Sequence, residues 1–106
     1  MYKYYVEINS KEHMLNSYEL SKLYNINTPK GKPHARFVNR LLKEYCAIAG
    51  IQERFYYKTS KGMMLVWPSS IYKPILDKLL EDYSHNEIVA MEFSNKTHNF
   101  IIGECI

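Results

Sequence analysis

Between residues 34 and 49 the apolar side chains recur three and four apart, at Phe37, Val38, Leu41, Leu42, Tyr45 and Ile48. That spacing gives a helix with one apolar face, which must be buried against something else. Arg36, Asn39, Arg40 and Lys43 lie mostly off that face. Pro33 suits the first helical position, where its missing amide costs nothing, and Gly50 is a good terminator. Directly afterwards, Arg54-Phe55-Tyr56-Tyr57-Lys58 reads as a strand and Thr59-Ser60-Lys61-Gly62 as a tight connection. Met63-Met64-Leu65-Val66-Trp67 reads as the returning strand, ended by Pro68.

The flanking segments are shorter. Tyr4-Tyr5-Val6-Glu7-Ile8 is a strand by its β-branched and aromatic content. Asn9-Ser10-Lys11 is a turn signal, and His13-Met14-Leu15 reads as a short return strand, giving an N-terminal hairpin. Asn16 or Ser17 caps a helix over residues 18–24, with Leu20, Leu23 and Tyr24 on one face and Glu19 at the positive end of its dipole. Asn25 stands where the chain leaves that helix. Residues 27–33 are a loop by composition. Ser69 or Ser70 caps a third helix that points Ile71, Ile75, Leu76, Leu79 and Leu80 to the core; Pro74 blurs its start. Residues 88–93, a Ser94-Asn95-Lys96-Thr97 turn and residues 99–106 make a C-terminal β-hairpin.

The chain has 106 residues, no internal repeat and no Gly/Ser linker, so it reads as one domain. Helix, turn, helix and hairpin in that order predict an α+β fold, a winged helix-turn-helix with an N-terminal hairpin and a C-terminal β-hairpin. The loop of residues 25–33 is longer than the connection of a compact helix-turn-helix.

Charge is distributed unevenly. Residues 1–21 carry a net of −1, residues 22–73 a net of +8 and residues 74–106 a net of −4, within a total of +3. A positive field concentrated mid-chain suits nucleic-acid phosphate, although basic and acidic segments can also neutralise one another on folding. The positive stretch coincides with the segments that a winged helix turns toward DNA. The expected double-stranded DNA contacts are Lys30, Lys32, His34, Arg36, Asn39, Arg40 and Lys43 on or before a recognition helix at about 32–49. Arg54, Lys58 and Lys61 belong to a basic wing at about 54–67, where Lys58 and Lys61 are expected to meet backbone. Arg36 and Arg40 share a helical face, from which arginine reads guanine or clamps phosphate; the alternative is a solvated face paired with Glu44. Asn39 suits adenine or phosphate, and His34 a phosphate at the helix start. Tyr56 and Tyr57 alternate, one inward and one exposed. Trp67 is a core or interface anchor.

Three pieces carry a family resemblance: Asn16-Ser17-Tyr18-Glu19-Leu20-Ser21, Lys32-Pro33-His34-Ala35-Arg36-Phe37-Val38-Asn39-Arg40, and Phe55-Tyr56-Tyr57 with Met63-Met64-Leu65-Val66. Over about residues 4–80 the chain resembles phage regulatory proteins of the Rha type and phage antirepressor N-terminal domains. That resemblance implies a winged-helix regulator from a phage or prophage. Because one recognition helix gives modest specificity, a homodimer is expected. A second reading stays open: a phage-encoded inhibitor or antirepressor that binds a host protein, its acidic final third imitating nucleic acid or docking on a basic partner. A protein that does both is a third.

Catalysis finds no foothold. No Gly-rich phosphate loop, His-Glu-x-x-His or Gly-x-Ser-x-Gly occurs. Asp77 and Glu81, beside Lys78 and Asp82, read as a solvated helix face. No cofactor is expected. Neither is a metal: His13, His85 and His98 lack ligand spacing, and Cys46 and Cys105 form no Cys-x-x-Cys. No apolar run reaches the roughly 18 residues of a membrane span. The N-terminus lacks a signal-peptide core, which makes the Asn95-Lys96-Thr97 sequon a coincidence and the cytoplasm of a bacterium or infected cell the expected compartment.

Overall fold

The computed structural model describes residues 4–8, 14–83 and 85–103. The elements run β1 (Tyr4–Ile8), β2 (Met14–Leu15), α1 (Ser17–Leu23), β3 (Ile26–Asn27), α2 (Ala35–Ala49), β4 (Glu53–Thr59), β5 (Gly62–Pro68), α3 (Ser69–Asp82), β6 (Ile88–Phe93) and β7 (Lys96–Ile102). This is an α+β fold of three helices and two small sheets. One sheet has the order β1-β4-β5-β2, the other β3-β7-β6.

Strands β4 and β5 pair through a two-residue connection, with Thr59 opposite Gly62 and Phe55 opposite Val66. Each then has one free edge. Strand β1 takes the β4 edge in parallel, and β2 takes the β5 edge antiparallel, with Leu15 opposite Trp67. The expected N-terminal hairpin is therefore wrong. Both strands exist, but they occupy opposite edges of one sheet. The turn placed at residues 9–11, and the end of the strand placed at 99–106, lie outside the described residues.

Helix α1 starts from a capping box. The Asn16 side chain accepts the Glu19 amide at 2.8 Å, and the Glu19 carboxylate accepts the Asn16 amide at 3.0 Å. Asn16, not Ser17, is thus the cap. Asn25 leaves the helix at φ 53°. Leu20 and Ser21 are buried, whereas Leu23 is 61% exposed and is not the core residue its spacing suggested. Tyr24 ties α1 to α3: its hydroxyl lies near the Asp77 carboxylate, and its ring meets Tyr72 edge-on at 6.3 Å. Burial and the Asp77 charge push the Tyr24 hydroxyl up to about 12.

Helix α2 begins at Ala35, not at Lys32. His34 is its cap, and Pro33 lies before the helix, bridged to Asn27. Gly50 ends it at φ 75°, in the left-handed region that glycine enters without penalty. The buried residues are Phe37, Val38, Leu42 and Cys46; Tyr45 is 50% and Ile48 79% exposed. The apolar period is wider than the surface that neighbours cover, and Cys46 takes the place expected of Tyr45. Neither serine caps α3: Ser69 and Ser70 are helical, and Pro68 precedes them without a side-chain cap. Pro74 lies inside this helix, where it has no amide to offer the carbonyl one turn back. Ile75, Leu76 and Leu79 still reach the core.

The residues read only as a loop are ordered by the C-terminal strands. Strand β3 pairs antiparallel with β7, Ile26 opposite Ile102. The Gly103 amide donates to the Asn25 carbonyl at 2.7 Å, and the Asn27 side chain donates to the Gly103 carbonyl at 2.8 Å. This is why the connection between α1 and α2 is long: part of it is a strand. Residues β6 and β7 form the expected C-terminal hairpin, turning at Ser94 and Asn95.

Burial differences along α2 are directly measurable. Phe37→Ala should cost about 3–5 kcal/mol in urea unfolding, as buried Phe truncations do. Ile48→Ala, equally apolar by sequence, should stay within about 0.5 kcal/mol of the parent. Equal losses would contradict the orientation of this helix.

Candidate nucleic-acid interface

At about 3.6 residues per turn, Arg36, Arg40, Lys43 and Ala47 fall along one line of α2, with Asn39 beside them. That line is opposite the buried residues Val38 and Leu42. Arg36 and Arg40 are exposed, while Asn39 and Lys43 are half-buried. Among the described residues none of the four enters an ion pair. Glu44, the acid most able to neutralise Arg40, accepts the Ser94 hydroxyl at 2.6 Å instead. The stripe therefore presents positive charge to solvent.

The loop before α2 folds back on itself. The Thr28 amide donates to the Lys32 carbonyl at 2.7 Å and the Gly31 amide to the Thr28 carbonyl at 2.8 Å. Lys30 and Lys32 are exposed on this turn. They precede the helix and do not belong to it. His34 serves the helix more than the surface. Its Nδ1 accepts the Phe37 amide at 3.4 Å, and its ring is hydrogen-bonded to the Asn99 backbone.

Lys58 and Lys61 are exposed on the β4–β5 hairpin. The Thr59 hydroxyl holds the tip, donating to the Gly62 carbonyl at 2.8 Å and accepting the Lys61 amide at 3.2 Å. Arg54 is different. It is 3% exposed, donates to the Ile51 and Glu53 carbonyls, and sits 5.5 Å from the centre of the Trp67 ring. It is a core cation and not part of a basic wing. Trp67 is a core residue at 1% exposure. Tyr56 and Tyr57 are both half-buried, so the expected division into one inward and one exposed ring is not seen.

An aromatic stack fastens the C-terminal hairpin to the start of α2. Phe37 lies parallel to Phe100 with centroids 4.3 Å apart, and His98 lies parallel to Phe93 at 4.2 Å. Phe37 also meets Phe93 and His98 at 6.2 and 6.0 Å. The hairpin thus flanks the charged stripe. Lys96, absent from the sequence-based set, acts electrostatically on the same His98 ring as Arg40. Only its long-range placement brings it here, and no local pattern signals that.

Cys46 is buried, and burial raises its thiol above the ordinary range, which leaves it unreactive. Among the described residues no helix is long and apolar enough to cross a membrane. Comparison with protein-family models, with curated proteins and with solved structures finds no match.

The stack makes stability depend on pH. Burial, reinforced by the charges of Arg40 and Lys96, holds the His98 imidazole below its ordinary 6.5. Burial likewise lowers His34, reinforced by His98 and Arg36 and opposed by the Asn99 backbone hydrogen bond. Below about pH 6.5 the unfolded chain binds protons that the folded chain refuses, so this stability is complete above 6.5 and lost as the pH falls. The melting temperature should decline on acidification from that point. His98→Phe, which keeps the stack, should make the decline shallower; an unchanged profile would contradict the assignment to His98.

Proposed function

We propose that this protein is a winged helix-turn-helix regulator that binds duplex DNA, with α2 as the recognition helix and the β4–β5 hairpin as the wing. The observation that carries the reading is the stripe of exposed Arg36 and Arg40 with half-buried Asn39 and Lys43, free of ion pairs among the described residues. Arginine pairs with guanine edges or with phosphate through two parallel hydrogen bonds, and asparagine does so with adenine. Topology supports the same reading. Strand β2, α1, α2 and β4–β5 follow in order, with β2 and β4 both hydrogen-bonded to β5. A winged helix likewise sets two helices against a hairpin with an earlier strand at its edge, although here β3 also lies between α1 and α2. Lys30 and Lys32 before α2, and Lys58 and Lys61 on the wing, are exposed and would add to a field for phosphate.

The resemblance to Rha-type phage regulators and antirepressor domains agrees with this role in a phage or prophage. Two half-sites need a dimer, and β6 is an edge strand of its sheet that a second copy can extend. One feature favours the alternative, a host-protein inhibitor. Tyr45 and Ile48 are exposed apolar residues, and Tyr45 lines a groove of about 420 Å³ with Leu41, Ile75, Leu79 and Met91.

Binding to duplex DNA across a salt series separates the two. The parent protein should bind at low salt with affinity that falls steeply as salt rises. Arg36→Ala combined with Arg40→Ala should make the slope of log K against log salt shallower by about 2. Absence of binding at low salt, or a double variant with unchanged affinity, would overturn the DNA reading.

A further inference from the structure

We infer that the tip of the β6–β7 hairpin is a third contact element for duplex DNA, with Lys96 binding backbone phosphate beside Arg40. This rests on the reading of α2 as the DNA-facing helix. It reverses what net charge alone says of the C-terminal third, which is acidic overall.

The pleat separates the charges of this hairpin. Side chains alternate along a strand, so Lys96, His98, Phe100 and Ile102 share one face of β7. The last three are buried, His98 and Phe100 against Phe37 of α2. Lys96 therefore leaves the strand on the α2 side, and it is exposed. Glu92 is opposite Thr97 in the ladder and so takes the other face. The nearest hairpin acid and the lysine point away from each other.

The tip is also held in place. Ser94 and Asn95 have φ of 53° and 61°, the left-handed pair that a two-residue type I′ turn requires. Such a turn follows the twist of the strands and leaves little slack. The Ser94 hydroxyl donates to Glu44 on α2 at 2.6 Å, one helical turn beyond Arg40. Arg40 and Lys96 both act electrostatically on the His98 ring, so both cations lie near it. Among the described residues neither has a carboxylate partner. Gathering like charges in this way opposes folding, and a polyanion lying along α2 would relieve it. A phosphate diester backbone supplies such charges at regular spacing.

The test uses the whole chain and a duplex of about 20 base pairs in several unrelated sequences, titrated at several salt concentrations. Lys96→Ala should weaken binding by the same factor on every sequence and make the log–log salt slope shallower by about 1. Lys96→Arg should restore the parent slope. Lys78→Ala, which removes a surface lysine paired with Asp82 on α3, should leave it unchanged. A Lys96→Ala protein with the parent slope, when Arg40→Ala lowers it, would remove the hairpin from the interface and leave the α2 reading standing. A parent protein that binds no duplex at low salt would remove both.

Discussion

The stack of Phe37 on Phe100 is the contact on which the rest of the arrangement depends. It joins a helix in the first half of the chain to β7, its last described strand, with ring centroids 4.3 Å apart. Offset aromatic pairs add roughly 0.5–1.5 kcal/mol to the area they bury. The consequence is geometric as well as energetic. With Phe37, Val38 and Leu42 fixed inward, helical period leaves Arg36 and Arg40 exposed, with Asn39 and Lys43 half-buried beside them. With Phe100 fixed, β7 lies where the segment between α1 and α2 can pair with it. One contact thus orients the charged stripe, orders the interhelical connection and brings a second hairpin alongside.

Local pattern revealed what local forces set. The α2 period, the Asn16 cap, the Gly50 stop and the tight β4–β5 turn are all decided within a few residues. Pairing between distant segments was not legible. The N-terminal strands looked like a hairpin because proximity in sequence is the cheapest guess, yet β4 and β5 each offered an edge and each strand took one. Residues 27–33 carry loop composition, and Ile26–Asn27 form a strand only by pairing with the distant β7. In α2 the period named six apolar positions, but neighbours cover the helix unevenly, which leaves Tyr45 and Ile48 in solvent and buries Cys46 instead.

The site was legible in the same measure. Arg36, Asn39, Arg40 and Lys43 follow from helical period, and the structure keeps them together. Arg54 did not follow, because charge in a strand reads as surface until an indole is known to lie beneath it; its guanidinium donates to the Ile51 and Glu53 carbonyls and lies against Trp67. His34 read as a donor at a helix start but is spent as a cap. Lys96 was hidden inside an acidic segment, since net charge sums residues that the pleat of a strand sends to opposite faces.

An aromatic stack fastens the C-terminal hairpin to a helix that carries a basic face, and this face is proposed to receive a duplex. The most direct test is to follow backbone amide signals by NMR while a short duplex is added. The account requires the changes to concentrate on residues 36–43 of α2, on Lys96 and its turn, and on the β4–β5 tip at residues 60–62. Changes centred instead on Leu41, Tyr45 and Met91 in the groove between α2 and α3, with the α2 stripe silent, would contradict it.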